Sequence, residues 1–200
     1  MKTDTKILPF FPLGVFLLPG EDIPLRIFEP RYLQLIEDAK DEGFTFAIPF
    51  IKNDEILEYG CEVKLQQVVA ETDAGRKVIT VESLSLIKVL SYTDRLADKL
   101  YSGGRVEVLP SSGVIDNPGL VNTIIEYVHQ YDEEFLNNIQ GAELRYCDVL
   151  KSLKLSSEDK YGFLELKSDV QREKFLASHL KYLMMIRKQE KSLDDDFRLN

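Results

Sequence analysis

The sequence predicts an α+β fold, in which an irregular, barrel-like β part with one helix is followed by a C-terminal bundle of about four helices. Three observations favour it. Residues 7–109 contain short apolar runs between glycine and proline turn signals. Residues 118–190 carry apolar side chains at helical spacing. The pattern changes at a Pro-Ser-Ser-Gly sequence, which predicts two domains, residues 1–113 and 114–200.

The first strands are short and are joined by tight turns. Gly14 and a Pro-Gly-Glu-Asp sequence at residues 19–22 separate apolar runs of strand length. The runs interpreted as strands in this segment are residues 7–12, 15–18, 24–28 and 44–51.

One helix interrupts these strands. Pro30 suits the first helical position, where its missing N–H is not needed, and Gly43 suits the end. Apolar side chains recur between them at helical spacing. They are Tyr32, Leu33, Leu35, Ile36 and Ala39.

A β-hairpin is predicted from two strand-like runs, residues 62–72 and 76–83. The turn between them ends in Gly75, where a left-handed residue is needed. Residues 84–91 and 105–109 are interpreted as further strands. So many short strands must hide their edges, which favours a curled or barrel-like sheet.

Helix-start signatures divide the second half of the chain. Asp116-Asn117-Pro118 combines an Asx cap with a proline just inside the helix. Residues 143–153 are a second predicted helix. Capping-box sequences begin at Ser156 and Ser168, before a short helix and before the longest one, residues 169–190. The apolar stripe of the first helix is Val121, Ile124, Ile125, Val128 and Phe135.

Composition and charge exclude several classes of function. With 44% hydrophobic and 30% charged residues, the chain resembles an ordinary globular protein. No apolar run approaches the roughly 20 residues that span a bilayer. The net charge of −9, without a basic stripe, argues against nucleic acid and anionic membranes as partners. No secretory signal is recognisable and the two cysteines are far apart, so we expect a cytoplasmic protein.

The chain carries no sequence motif for catalysis, for a cofactor or for a metal. No glycine is followed by lysine, which excludes a P-loop, and neither a nucleophile elbow nor a dinucleotide fingerprint is present. His129 and His179 are interpreted as residues at helix–helix seams. The acidic runs at 132–134 and 194–196 lack the spacing of a calcium loop.

Residues 11–32 carry the most specific signal in the sequence. The blocks FPLGVFLLPG and IPLRIFEPRY resemble the opening of the Lon N-terminal domain family, and the second block most resembles its short stand-alone members and the related part of cereblon. Residues 153–185 resemble the closing helices of that family more loosely. The resemblance covers roughly residues 7–190 and implies a β subdomain followed by a helical bundle. It also implies a substrate-binding module without catalytic residues, because the ATPase and protease of full-length Lon lie downstream of this domain.

Most side chains of these blocks are interpreted as scaffold. Leu25, Ile27 and Phe28 are expected in the core, Glu29 is expected to cap the helix, and Arg31 to pair with a carboxylate. The residues that packing explains least are Arg26, Glu29, Arg31 and Tyr32. Arginine and tyrosine are enriched at interface hot spots. We therefore hypothesise that part of this cluster binds a partner at a groove shared with the hairpin.

Three functions follow as hypotheses. The first is a non-catalytic module that binds proteins or unfolded polypeptide segments, which the resemblance implies. The second is an adaptor that docks one folded partner. The third and least favoured is a stand-alone hydrolase. The sequence does not indicate an oligomeric state.

Overall fold

A computed structural model gives the fold and describes residues 4–72, 75–110, 113–131, 135 and 143–198, with side chains up to residue 190. By its contacts the chain divides into a β unit and a helical unit. The β unit comprises Met1–Ser111 and Ser156–Tyr161, and the helical unit comprises Ser112–Leu155 and Gly162–Asn200. The predicted α+β class is confirmed. That residues 1–113 and 114–200 form separate domains stays a prediction.

The β unit is built on a six-stranded antiparallel sheet. Its strands are β1 (Thr5–Pro9), β2 (Asp22–Ile27), β3 (Phe46–Lys52), β4 (Glu55–Glu71), β5 (Lys77–Val89) and β6 (Gly103–Val108). The order across the sheet is β1-β6-β5-β4-β3, and β2 pairs with the first half of β5. Among the described strands β2 has no second neighbour, so it lies at an edge, where Pro24 removes no ladder hydrogen bond.

The sheet curls without closing into a barrel. The chain after β1 runs beside β3, where the N–H groups of Phe11 and Leu13 donate to the carbonyls of Ala47 and Pro49 at 2.8 and 3.1 Å. Two isolated parallel bridges, Phe10 to Ala47 and Leu13 to Phe50, lie in the same region. These contacts cover the outer edge of β3, as the predicted need to hide strand edges requires.

The predicted first helix is confirmed as α1 (Pro30–Glu42). It ends at Gly43, which has a φ of 73° and donates its N–H to Ala39 at 3.0 Å. The buried face of α1 is Tyr32, Leu35, Ile36 and Ala39. This face packs in one core with inward residues of β2 to β5, such as Ile27 and Ile79.

One predicted strand in the first half is wrong, and so is one predicted break between two strands. Residues 15–18 do not form a strand, because their backbone bonds to side chains: Phe16 N–H donates to Ser157 Oγ at 3.0 Å and Leu18 N–H donates to Glu21 Oε2 at 2.8 Å. The predicted strands 76–83 and 84–91 are one strand, β5.

The first strand of the hairpin begins earlier than predicted, at Glu55 rather than residue 62. It passes through Gly60. Gly60 lies opposite Pro49 in the ladder, and a β-carbon there would come 2.5 Å from the carbonyl oxygen of Ile48. Close approach of two backbones therefore explains this glycine inside a strand.

Four helices follow residue 113 in the described part of the chain. They are α2 (Pro118–Tyr131), α3 (Tyr146–Ser152), α4 (Ser157–Glu165) and α5 (Asp169–Arg198). The predicted caps are confirmed: Asn117 Oδ1 accepts from Gly119 and Leu120 at 3.0 and 3.2 Å, and Ser156 Oγ accepts from Asp159 at 3.1 Å. No helix within the described residues is long and apolar enough to cross a bilayer.

The buried stripe of α2 differs from the predicted one. Leu120, Ile124, Tyr127 and Val128 are buried, whereas Ile125 is 42% exposed. These four positions lie at i, i+4, i+7 and i+8, a face that Ile125 just misses. Apolar periodicity alone does not predict Tyr127, because tyrosine is amphipathic, with an apolar ring and a polar tip.

Candidate functional site

A groove of about 660 Å³ lies in the β unit, where β2 ends beside the tip of the β4–β5 hairpin. Its lining residues are Arg26, Ile27, Phe28, Thr72, Arg76, Lys77 and Val78. Arg26 is the one residue of the hypothesised cluster that lines it. A groove between Arg26 and the hairpin is therefore present, and partner binding there stays a prediction.

Strand register explains which side chains meet in this groove. Arg26 lies directly opposite Val78, and Ile27 lies opposite Lys77. Opposed residues project from the same face, and neighbouring residues along a strand project from opposite faces. Phe28 and Arg76 each lie one residue beyond the last pair of this ladder, Ile27 and Lys77. Arg26, Phe28 and Arg76 are all exposed, while Ile27 points into the core.

Phe28 is the unexpected member of the groove. Its prediction as a core residue is wrong, because its side chain is 64% exposed. Ile23, Leu25 and Ile27 face inward along β2, so strand alternation turns Phe28 outward. The same alternation, continued one residue past Ile27 in the sequence, predicts that the Phe28 side chain is exposed.

The hairpin residues of the groove had no sequence signal of their own. Arg76, Lys77 and Val78 come beside β2 only through the pairing of β2 with β5, a contact between segments some fifty residues apart. The short turn before them is held by two backbone bonds, from Gly75 to Thr72 at 2.8 Å and from Thr72 to Arg76 at 2.9 Å. Gly75 has a φ of 72°, so the predicted left-handed glycine is confirmed.

The cations around the groove differ in how they are compensated. Lys77 is buried, and its ammonium pairs with Glu37 of α1 and lies 3.5 Å from Glu71. Arg26 and Arg76 have no ion-pair partner within the described residues. Among the described residues, two guanidinium groups without an ion-pair partner therefore lie at one groove of a chain whose net charge is −9.

The other hypothesised contact residues satisfy one another outside the groove. Glu29 accepts from Arg31 at 2.9 Å, and it forms no side-chain cap bond to α1 because Arg31 engages its carboxylate. Glu29 does occupy the predicted N-cap position, where its backbone carbonyl accepts from Tyr32 and Leu33, but a cap by its side chain is absent. The predicted pairing of Arg31 is confirmed. Tyr32 is 8% exposed and packs 4.2 Å, ring centre to ring centre, from Phe11.

Two other depressions are less suited to hold a ligand. One, of about 500 Å³, lies between the end of α1 and β4 and is lined by residues such as Gly43, Lys64 and Val68. The adjoining part of β4 shifts register repeatedly, which disrupts an edge that an added strand would need. The other, of about 440 Å³, lies on α2 and has no aromatic side chain other than His129 in its lining.

The histidines and cysteines do not form a reactive site. His129 is exposed, so its predicted place at a helix seam is wrong, and His179 stacks on Phe175 with 4.2 Å between ring centres. Burial raises the pKa of the Cys61 thiol to about 12. Within the described residues no group of three or more histidine, cysteine or acidic side chains is placed to hold a metal ion.

Glu62 is a buried carboxylate that stabilises the sheet of the β unit. Glu62 is 5% exposed, and its carboxylate accepts from Lys6 at 2.7 Å, from Thr45 at 2.6 Å and from Ser85 at 2.9 Å. Burial alone would raise the pKa of Glu62, but these hydrogen bonds outweigh it and lower the pKa below 4.5. The carboxylate therefore stays ionised and joins β1, β4 and β5.

Comparison with known proteins gives a consistent family. A family model described as the ATP-dependent protease La (LON) substrate-binding domain matches residues 7–182. The crystal structure of a Lon N-terminal domain protein from Xanthomonas campestris is 26% identical, with a TM-score of 0.63 over 86% of this chain and 98% of that chain. The N-terminal domain of a Lon protease from the Mycobacterium avium complex is 14% identical and shares the fold, with a TM-score of 0.63 over 88% of this chain and 98% of that one.

Proposed function

The chain belongs to the family of Lon substrate-binding domains, and from this premise we propose that it captures extended polypeptide segments in the groove between β2 and the hairpin tip. The observation that carries the proposal is Phe28, an aromatic side chain left 64% exposed at the end of an edge strand. Exposed aromatic residues beside arginines are typical of binding hot spots.

The energetics favour Phe28 as the anchor of the groove. Complete burial of a phenylalanine side chain contributes roughly 1.5–3 kcal/mol. The neighbouring Val78 is only partly buried and extends the apolar surface. A ligand that covers both residues gains enough free energy for micromolar binding only when backbone or charged contacts add to it.

The same family premise supports binding without chemistry. The matched domain is described as substrate-binding, and the Cys61 thiol, with a pKa of about 12, is not a nucleophile at neutral pH. We expect the purified protein neither to hydrolyse ATP nor to cleave a casein-like unfolded substrate. Turnover that follows the protein through repurification would overturn this part. The expected compartment remains the cytoplasm.

Binding of a fluorescently labelled, permanently unfolded polypeptide tests the groove. Phe28→Ala should weaken binding by roughly tenfold or more, because about 1.4 kcal/mol corresponds to one decade. Tyr182→Ala is the matched control, since Tyr182 is a 56% exposed aromatic residue of α5 outside the groove. Equal affinity of the Phe28→Ala variant and the wild type would overturn the site. Capture of one folded partner, with no affinity for unfolded chains, would favour an adaptor.

A further inference from the structure

We propose that the groove selects acidic segments, in which an apolar side chain is flanked by aspartate or glutamate in an extended stretch of polypeptide. This inference rests on the proposed function and adds the chemistry of the ligand. Phe28 receives the apolar side chain, and Arg26 and Arg76 receive the carboxylates.

The spacing of the three side chains matches an extended ligand. Arg26 and Phe28 are two residues apart on one face of the edge strand, a repeat of about 7 Å. Arg76 lines the same groove and precedes Lys77, the partner of Ile27 in the last strand pair. An extended peptide has the same two-residue repeat. A carboxylate two positions from its apolar side chain therefore meets Arg26 while the apolar side chain covers Phe28.

The ion pairs around the groove indicate that the ligand carries negative charge. Within the described residues, Lys77 is neutralised by Glu37 and Arg31 is neutralised by Glu29. Arg26 and Arg76 keep their charge available, and guanidinium groups bind carboxylates through paired hydrogen bonds. The net charge of −9 repels an acidic ligand only weakly, since charges beyond about 10 Å are screened at 0.1 M salt. The two local arginines therefore decide the preference.

The charges at the start of β2 indicate which end of the strand favours acidic ligand residues. Asp22 lies opposite Glu82, so the outer face is acidic at the start of β2 and basic at its end. Asp22 and Arg26 are four residues apart on this face, about 13 Å along a strand. Acidic residues of a ligand are thus favoured only at the Phe28 end.

A set of three peptides tests the selectivity. They share a central phenylalanine and differ only in the flanking residues, which are glutamate, glutamine or lysine. On the wild type, the glutamate peptide should bind roughly tenfold tighter than the glutamine peptide, and the advantage should shrink on going from about 0.05 to about 0.5 M salt. The variant Arg26→Gln, Arg76→Gln should reduce the advantage to within about twofold.

Two further variants sharpen the test. Arg105→Gln removes the same charge from an exposed position of β6 and should leave the preference intact. The variant Arg26→Glu, Arg76→Glu should reverse the preference toward the lysine peptide. Circular-dichroism melts confirm folding, which these exposed positions should not disturb.

The outcomes that contradict the selectivity differ from those that contradict binding at the groove. Equal binding of the glutamate and glutamine peptides to the wild type, with both weakened by Phe28→Ala, would reject the selectivity and leave the groove as a binding site. The same rejection follows if the preference survives in both double variants. Absence of binding by any peptide, or binding insensitive to Phe28→Ala, would reject the proposed function itself.

Discussion

Arg31 donates to a single carboxylate oxygen of Glu29, through Nε at 2.9 Å and Nη2 at 2.8 Å. The same guanidinium group lies 4.5 Å from the ring centre of Tyr32. Three of the four charged or amphipathic residues that stand out in the sequence therefore satisfy one another, and only Arg26 remains available in the groove.

Loss of the Glu29–Arg31 pair should have little effect. Both side chains are about half exposed, and exposed ion pairs contribute roughly 0–1 kcal/mol. We expect Arg31→Ala to keep the urea midpoint nearly unchanged and to bind unfolded polypeptide as the wild type does. A loss of binding at unchanged stability would place Arg31 in the contact surface.

Tyr32 should behave as a core residue. Because its ring packs on Phe11 and is 8% exposed, Tyr32→Ala should destabilise the protein by roughly 3–5 kcal/mol. Tyr32→Phe keeps the ring and should cost less than about 1 kcal/mol. Urea denaturation of the two variants measures the difference. A stable Tyr32→Ala protein that has lost binding would instead assign Tyr32 to the partner site.

The sequence predicted elements better than it predicted contacts between them. Helix α1 and the turn at Gly75 follow from local signals, which are a proline, two glycines and a helical repeat. The groove depends on the pairing of β2 with β5, and no local signal sets that register. The strand predicted at residues 15–18 fails for the same reason. Its backbone N–H groups bond to the side chains of Ser157 and Glu21, and Ser157 is distant in sequence.

Gly75→Val should destabilise the hairpin by roughly 1–2 kcal/mol, because a β-branched residue resists positive φ. A β-carbon at Gly75 would meet nothing within 4 Å, so the effect comes from backbone strain and not from a clash. Gly75→Asn, a residue that tolerates the left-handed region, is the matched control and should cost less. Equal thermal midpoints for the two variants would show that strain at this turn is not significant.

Ionised Glu62 should make the free energy of unfolding decrease at acidic pH. Its folded-state pKa is lowered, so its contribution is complete above the ordinary value of 4.5 and is lost as the pH falls through the folded value. Glu62→Gln should cost roughly 1–3 kcal/mol at neutral pH and should lose less stability than the wild type on acidification. Urea midpoints at neutral and acidic pH measure both effects. Identical pH dependence of variant and wild type would contradict the assigned pKa direction.

Hydrogen exchange with and without the glutamate-flanked peptide tests the central claim most directly, because it locates the ligand on the unmodified protein. The amides of residues 26–28 and 76–78 should exchange more slowly when the peptide is bound, since they line the groove. Residues 64–68 and 122–130, which line the other two depressions, should be unchanged. Slower exchange confined to either of those segments would contradict binding at the groove beside Phe28.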